Sequence, residues 1–131
     1  MNKTPPNQPS SFLSRWRRKF ACALRGIAVG VRGQSSFWVH FPAAIVVVVM
    51  ATWLQISRTD WLALVVCMTI VFSAELFNSA IEHLARAITR EQHPEIRDAL
   101  DVASGAVLVA AMGAAVVGVG VLGWPLLEWF L

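Results

Sequence analysis

The sequence predicts an all-α integral membrane protein, with an amphipathic helix at the interface followed by three spanning helices. Three observations carry this reading. Hydrophobic residues fill 56% of 131 positions and charged residues only 15%, more apolar surface than one soluble core can hide. Short polar breaks separate three apolar stretches, each close to the ~20 residues that cross a bilayer as a helix. The charge is also segregated: Lys3, Arg15, Arg17, Arg18, Lys19, Arg25 and Arg32 all precede the first apolar stretch, and no acidic residue occurs before Asp60.

Such a basic block can serve nucleic acid or anionic lipid. Beside membrane spans it reads as lipid-facing and topological, so no nucleic-acid partner is expected. Cys22 and Cys67 form neither a metal spacing nor a disulfide framework and read as small apolar filler. The N-terminal stretch lacks the compact apolar core of a signal peptide, so the first span is expected to be retained.

Residues 1–11 are polar and Pro-rich and read as a disordered tail. From 12 to 32 the apolar residues Leu13, Trp16, Phe20, Ala23, Leu24 and Ile27 recur at threes and fours with arginines between them. This is a basic amphipathic helix, suited to the headgroup region or to packing on the bundle. Residues 33–36 break the pattern. The first span is expected at about 37–56, the hinge at 57–60, and the second span at about 61–82 with helical pattern through Ile88. Residues 90–95, with Pro94, read as a polar turn. The third helix is expected to start near Ile96, to span about 102–122, and to end at Gly123-Trp124-Pro125.

The basic N-terminal segment and the 86–97 region belong on the cytoplasmic side under the positive-inside rule. The hinge and C-terminus then face outward. Trp53, Trp61, Trp124 and Trp129 mark the outer interface and Trp38 the inner one. Ala106, Ala110, Ala114 and Gly118 form a small-residue stripe that permits close contact, within the chain or between subunits. Three helices shield polar groups poorly, which favours a homo-oligomer.

The informative stretch is Ala74-Glu75-Leu76-Phe77-Asn78-Ser79-Ala80-Ile81-Glu82. At 100° per residue, Glu75, Asn78 and Glu82 fall within about 60° of one another, with Ser79 and Arg86 on the same side. Counted from Trp61, Glu75 lies roughly 21 Å and Glu82 roughly 31 Å into the membrane. Glu75 is therefore in the hydrocarbon and Glu82 at its cytoplasmic edge.

An ionisable group within a span costs about 2.5–3.5 kcal/mol on the lenient insertion scale. Two things could offset it. Chemistry is one: a carboxylate held out of water can act as a base, and a second at the interface can hold a divalent metal. Structure is the other: Glu75 can bond across helices, and Glu82 can pair with Arg86 at i+4. The depth of the stripe and the basic helix beside it favour chemistry. Asp101 should lie at about the depth of Glu82, either as a second acidic group or as a favourable charge near a helix start. There is no P-loop and no Gly-rich dinucleotide motif. His40, His83 and His93 lack zinc-ligand spacing, and His83 reads as interfacial.

At this point the chain resembles the small prokaryotic membrane lipid kinases, the diacylglycerol kinases and their undecaprenol kinase relatives. The resemblance runs over about residues 12–123. It rests on the 74–82 segment, Glu91-Gln92-His93, and Asp101 before Ser104-Gly105-Ala106-Val107-Leu108. It implies a lipid kinase domain over 12–131 in a bacterial inner membrane, working as a homotrimer. The activity implied is transfer of the γ-phosphate of MgATP to a lipid hydroxyl at the cytoplasmic interface.

By position, the resemblance makes Glu75 the catalytic base and places Asn78 with it at the lipid substrate. Glu82 becomes a metal-binding carboxylate. Arg15, Glu91, Gln92, His93 and Asp101 fall around the nucleotide. Three positions depart from the pattern: Gln34 replaces a metal-binding Glu, Arg86 an Asp, and Leu100 a Lys. Gln34 can still offer a carbonyl oxygen to Mg²⁺. Arg86 is expected to contribute the phosphate-neutralising charge missing at Leu100. A weak or inactive relative, serving as a lipid-binding or assembly subunit, is the alternative. A proton-coupled transporter would suit Glu75, but three spans without inverted repeats argue against it.

Overall fold

The structure, a computed structural model, describes residues 12–32, 37–89, 91 and 93–131. The expected tail at 1–11 and two site residues, Gln34 and Gln92, lie outside these. Among the described residues all regular structure is helical: α1 (Phe12–Arg32), α2 (Phe37–Trp53), α3 (Arg58–Ile88) and α4 (Pro94–Phe130). Helices α3 and α4 are each long and apolar enough to cross a membrane. Helix α2 has 17 residues, a rise of about 26 Å, and reaches that test only together with α1.

The breaks are built by local chemistry. Helix α2 ends in a Schellman cap, in which the Ile56 N–H donates to Ala51 O and the Gln55 N–H to Thr52 O. Gln55 takes the left-handed position with φ 51°. Helix α2 therefore stops at Trp53, short of the Ile56 expected for the first span. Ser57 caps α3: its Oγ accepts from the Asp60 N–H at 3.2 Å and donates to Asp60 Oδ2 at 2.7 Å. What reads as a hinge at 57–60 is thus mostly the first turn of α3. The end of α3 at Ile88 is as expected. Thr89 closes it, its N–H donating to Ala85 O and its Oγ1 accepting from the Glu91 N–H.

Pro94 opens α4 instead of belonging to the turn, because a proline at the first helical position loses no hydrogen bond. The other end differs more. Gly123-Trp124-Pro125 does not stop the helix, which continues to Phe130. Side chains hold that last stretch. Trp124 Nε1 donates to Glu128 Oε1 at 2.8 Å, and Trp129 packs on Trp53 of α2 with centroids 4.6 Å apart.

Helices α3 and α4 form the main antiparallel pair. On α3 the inward positions are Leu64, Met68, Val71, Glu75, Asn78, Glu82 and Ala85, alternating at fours and threes. On α4 they are Ala103, Val107, Ala110 and Ala114. This is the seam of a two-helix packing. Ala106 stays exposed and a Cβ on Gly118 would meet nothing, so the small-residue stripe is only partly used within the chain. The apolar core sits at the Gln55 end, around Ala51, Leu64 and Leu122, with Ile56, Trp61 and Met68 against it. Large apolar side chains elsewhere, such as Leu108, Met112 and Val116, are exposed, as lipid contact or subunit contact requires.

Candidate active site

The polar residues of α3 are not set apart from its packing face; they continue it. Leu64 and Val71 are buried, and one turn on the same seam carries Glu75, Asn78 and Ser79, also buried. Glu75 is 0% exposed. Neither of its carboxylate oxygens has a hydrogen bond, and Asn78 Oδ1 is likewise buried and unpartnered. Oε1 does have an ion-pair neighbour in His40; Oε2 and Asn78 Oδ1 are left unsatisfied, at about 1–3 kcal/mol for a buried polar group, and these two oxygens mark a place for something else to bind.

From Asn78 the seam runs outward as a chain of contacts. Asn78 Nδ2 donates to Glu82 Oε1 at 3.0 Å. Glu82 Oε2 meets Arg86 Nη1 at 3.6 Å. The expected i+4 pair is therefore present, and Arg86 in turn lines an open cavity of about 650 Å³ where α3 passes to α4. Glu91, His93, Arg97, Leu100 and Asp101 share its wall. The Asp101 carboxylate lies 4.0 Å from Arg97 Nε, one turn back on α4.

Four of the expected residues, Arg86, Glu91, His93 and Asp101, thus meet around one cavity. Three others, Glu75, Asn78 and Glu82, form the seam leading to it. Arg15 is not brought to this cluster. It lies near the start of α1, in a separate concavity with Arg18, Lys19 and Cys22. Helix α1 reaches the site by its other end. Ser79 Oγ donates to Gly30 O at 3.2 Å, and a Cβ on Gly30 would lie 2.7 Å from Leu76 Cδ2.

Two residues at the site escape the sequence reading. Arg97 is a second cation on the cavity wall beside Leu100. His40 places Nε2 3.1 Å from Glu75 Oε1. His40 lies in the series Phe37, His40, Ala44, Val47, Ala51, the inward seam of α2, which the uniformly apolar sequence of that helix does not mark.

A buried carboxylate, a polar track and an open cavity whose wall mixes Arg86 and Arg97 with Glu91, Asp98 and Asp101 suit transfer of a group from water to a buried acceptor. Residues 21–122 match the family described as prokaryotic diacylglycerol kinase. The chain belongs to this family. The family is one of prokaryotic membrane lipid kinases. The chain is 35% identical over 106 residues to the undecaprenol kinase of Bacillus subtilis, covering 81% of this chain and 86% of that one. To the diacylglycerol kinase of Escherichia coli K12 it is 30% identical over 105 residues, covering 80% and 81%. The diacylglycerol kinase of Synechocystis is 30% identical over 110 residues, 83% of this chain and 63% of that one.

Proposed function

We propose that the chain transfers the γ-phosphate of MgATP to the hydroxyl of a membrane lipid alcohol, diacylglycerol or undecaprenol. The reaction takes place at the cytoplasmic face of a bacterial inner membrane, with the N-terminus cytoplasmic and α1 lying in the headgroups. The chain works as a homotrimer, which covers the apolar faces that one copy leaves open. The observation that carries this is Glu75, wholly buried, with Oε2 free of any hydrogen bond, at the inner end of a polar track to a cavity lined by Arg86, Arg97 and three carboxylates.

In this reading Glu75 takes the proton of the lipid hydroxyl. The hydroxyl oxygen then bonds to the γ-phosphorus, the bond from that phosphorus to the β-phosphate oxygen breaks, and ADP leaves. Asn78 orients the hydroxyl beside Glu75. Arg86 neutralises the phosphates, contributing the charge missing at Leu100, and His93 lies beside the nucleotide. Glu91, Gln92 and Asp101 hold the rest of the nucleotide, and Arg15 approaches it from α1. Phosphoryl transfer asks mainly for positioning and charge neutralisation, so no nucleotide-binding fold is needed.

The accompanying Mg²⁺ supplies charge neutralisation on the phosphate oxygens when bound. No three acidic, His or Cys side chains among the described residues could hold a metal alone. Magnesium on phosphates needs only one or two protein oxygens. Glu82 and the unpartnered Oδ1 of Asn78 fit that demand, with Gln34 as an uncharged third.

One observation favours a second reading, that of an inactive lipid-binding or assembly subunit. Glu82 is held by Asn78 and Arg86 within its own helix, so its charge is partly neutralised before any metal arrives. Purified protein in mixed micelles, given MgATP with each lipid alcohol, separates the two. Undecaprenol is tested first because the similarity to the undecaprenol kinase is the higher of the two. Lipid phosphorylation supports the kinase. Absence of turnover with any lipid alcohol, across a range of Mg²⁺ and Mn²⁺, supports the assembly subunit.

A further inference from the structure

Glu75 sits on α3, and the side chain at ion-pair distance from it comes from a different helix: His40 of α2, with Nε2 3.1 Å from Oε1. Glu75 is shut off completely, whereas the His40 side chain is 23% exposed. The contact is made to Oε1, and Oε2 is buried without a hydrogen bond.

The pair sits in a fixed frame. One turn earlier on both helices, Phe37 stacks on Phe72 with ring centroids 6.1 Å apart and planes within 7°. Phe37 is itself buried. The α2 backbone is thereby registered against α3 at the turn that carries the imidazole. A glutamate has three rotatable bonds, and one in a site with no hydrogen bonds has nothing else to fix its last torsion. The imidazole is the group placed to do so.

We propose that His40 is a positioning residue for Glu75, its imidazole holding Oε1 so that Oε2 faces the lipid hydroxyl. This rests on the kinase reading. It gives α2 a part in catalysis that its apolar sequence does not advertise. His40 touches neither substrate in this account; it acts through the carboxylate. Misplacing a reacting group by an ångström can cost about 100-fold in rate, and that sets the scale of the expected effect.

The test is the kinetics of the full-length protein in lipid–detergent micelles with MgATP. His40→Leu should lower kcat by roughly 10- to 100-fold while the KM values for ATP and lipid stay within about twofold. His40→Gln, whose amide N–H can reach the same oxygen, should recover most of the rate. Glu75→Asp, which shortens the acid but keeps it, should combine with His40→Leu to far less than the product of the single losses. Trp53→Leu, which loses the contact with Trp129 at the far end of α2, should lower the thermal midpoint and leave kcat near wild type. Unchanged kcat in His40→Leu overturns the proposal and leaves the kinase standing. So does a loss that His40→Gln fails to rescue and that multiplies fully with Glu75→Asp, as a general packing role would give. A wild-type protein that phosphorylates no lipid alcohol overturns both readings.

Discussion

At the scale of single residues, the proposed function makes the charges around the cavity decide how well the nucleotide is held. Arg86 is the pivot, because it touches Glu82 and also lines the cavity. Removing it as Arg86→Ala should raise the KM for ATP by about tenfold, the weight of one charge-assisted contact near 1.4 kcal/mol. An unchanged KM and kcat would end its assigned role. Leu100 lies on the same wall. Leu100→Lys should therefore lower the KM for ATP in the wild-type background and restore much of the loss in Arg86→Ala. If it restores nothing, the idea that Arg86 compensates for position 100 fails. Arg97, 84% exposed and shared with Asp101, is placed to contribute less.

At the scale of elements, the account turns on two joints. The first fastens α1 to α3, where Ser79 Oγ donates to Gly30 O and Leu76 presses on the glycine. Ser79→Ala leaves a buried carbonyl without its partner and should cost about 1 kcal/mol. Gly30→Val should cost more, since Leu76 must give way to a branched side chain, and thermal unfolding in detergent reads both. The second joint is the cap at Gln55, whose φ of 51° suits glycine. Gln55→Gly should stabilise the chain by about 1 kcal/mol, and a lowered midpoint would contradict that.

These joints also explain what the sequence conceals. The period of α3 and its end at Ile88 are legible because apolar and polar residues alternate at threes and fours up to Thr89. The continuation of α4 past Pro125 is not legible. It depends on Trp129 meeting Trp53 and on Trp124 bonding Glu128, contacts between residues far apart or on the far side of the proline. His40 is hidden for a related reason. On α2 almost every residue is apolar, so no amphipathic pattern says which face is inward, and only the partner helix reveals it. The stripe of Glu75, Asn78 and Glu82 was legible as a stripe. That it continues the packing seam, and leads to Arg86 and the cavity, needs the fold.

At the scale of the whole molecule, one copy leaves much apolar surface open, and its site is walled only on the sides that α1, α2 and α4 supply. A homotrimer of the 14.4 kDa chain is expected, and sedimentation in density-matched detergent should give three copies per particle. A monomer with full activity would remove the trimer from the proposal. The proposed reaction would cross the membrane boundary, from the buried Glu75 to the open cavity beside Arg86. The central claim is that Glu75 is the base for phosphoryl transfer to a lipid. The most direct measurement is the transfer of labelled γ-phosphate from ATP into the organic-extractable lipid fraction, wild type against Glu75→Gln, with both proteins matched for helicity and assembly. The account predicts labelled lipid phosphate from the wild type and a loss of at least about 1,000-fold in Glu75→Gln, a barrier increase of roughly 4 kcal/mol. Equal labelling by the two proteins would contradict it.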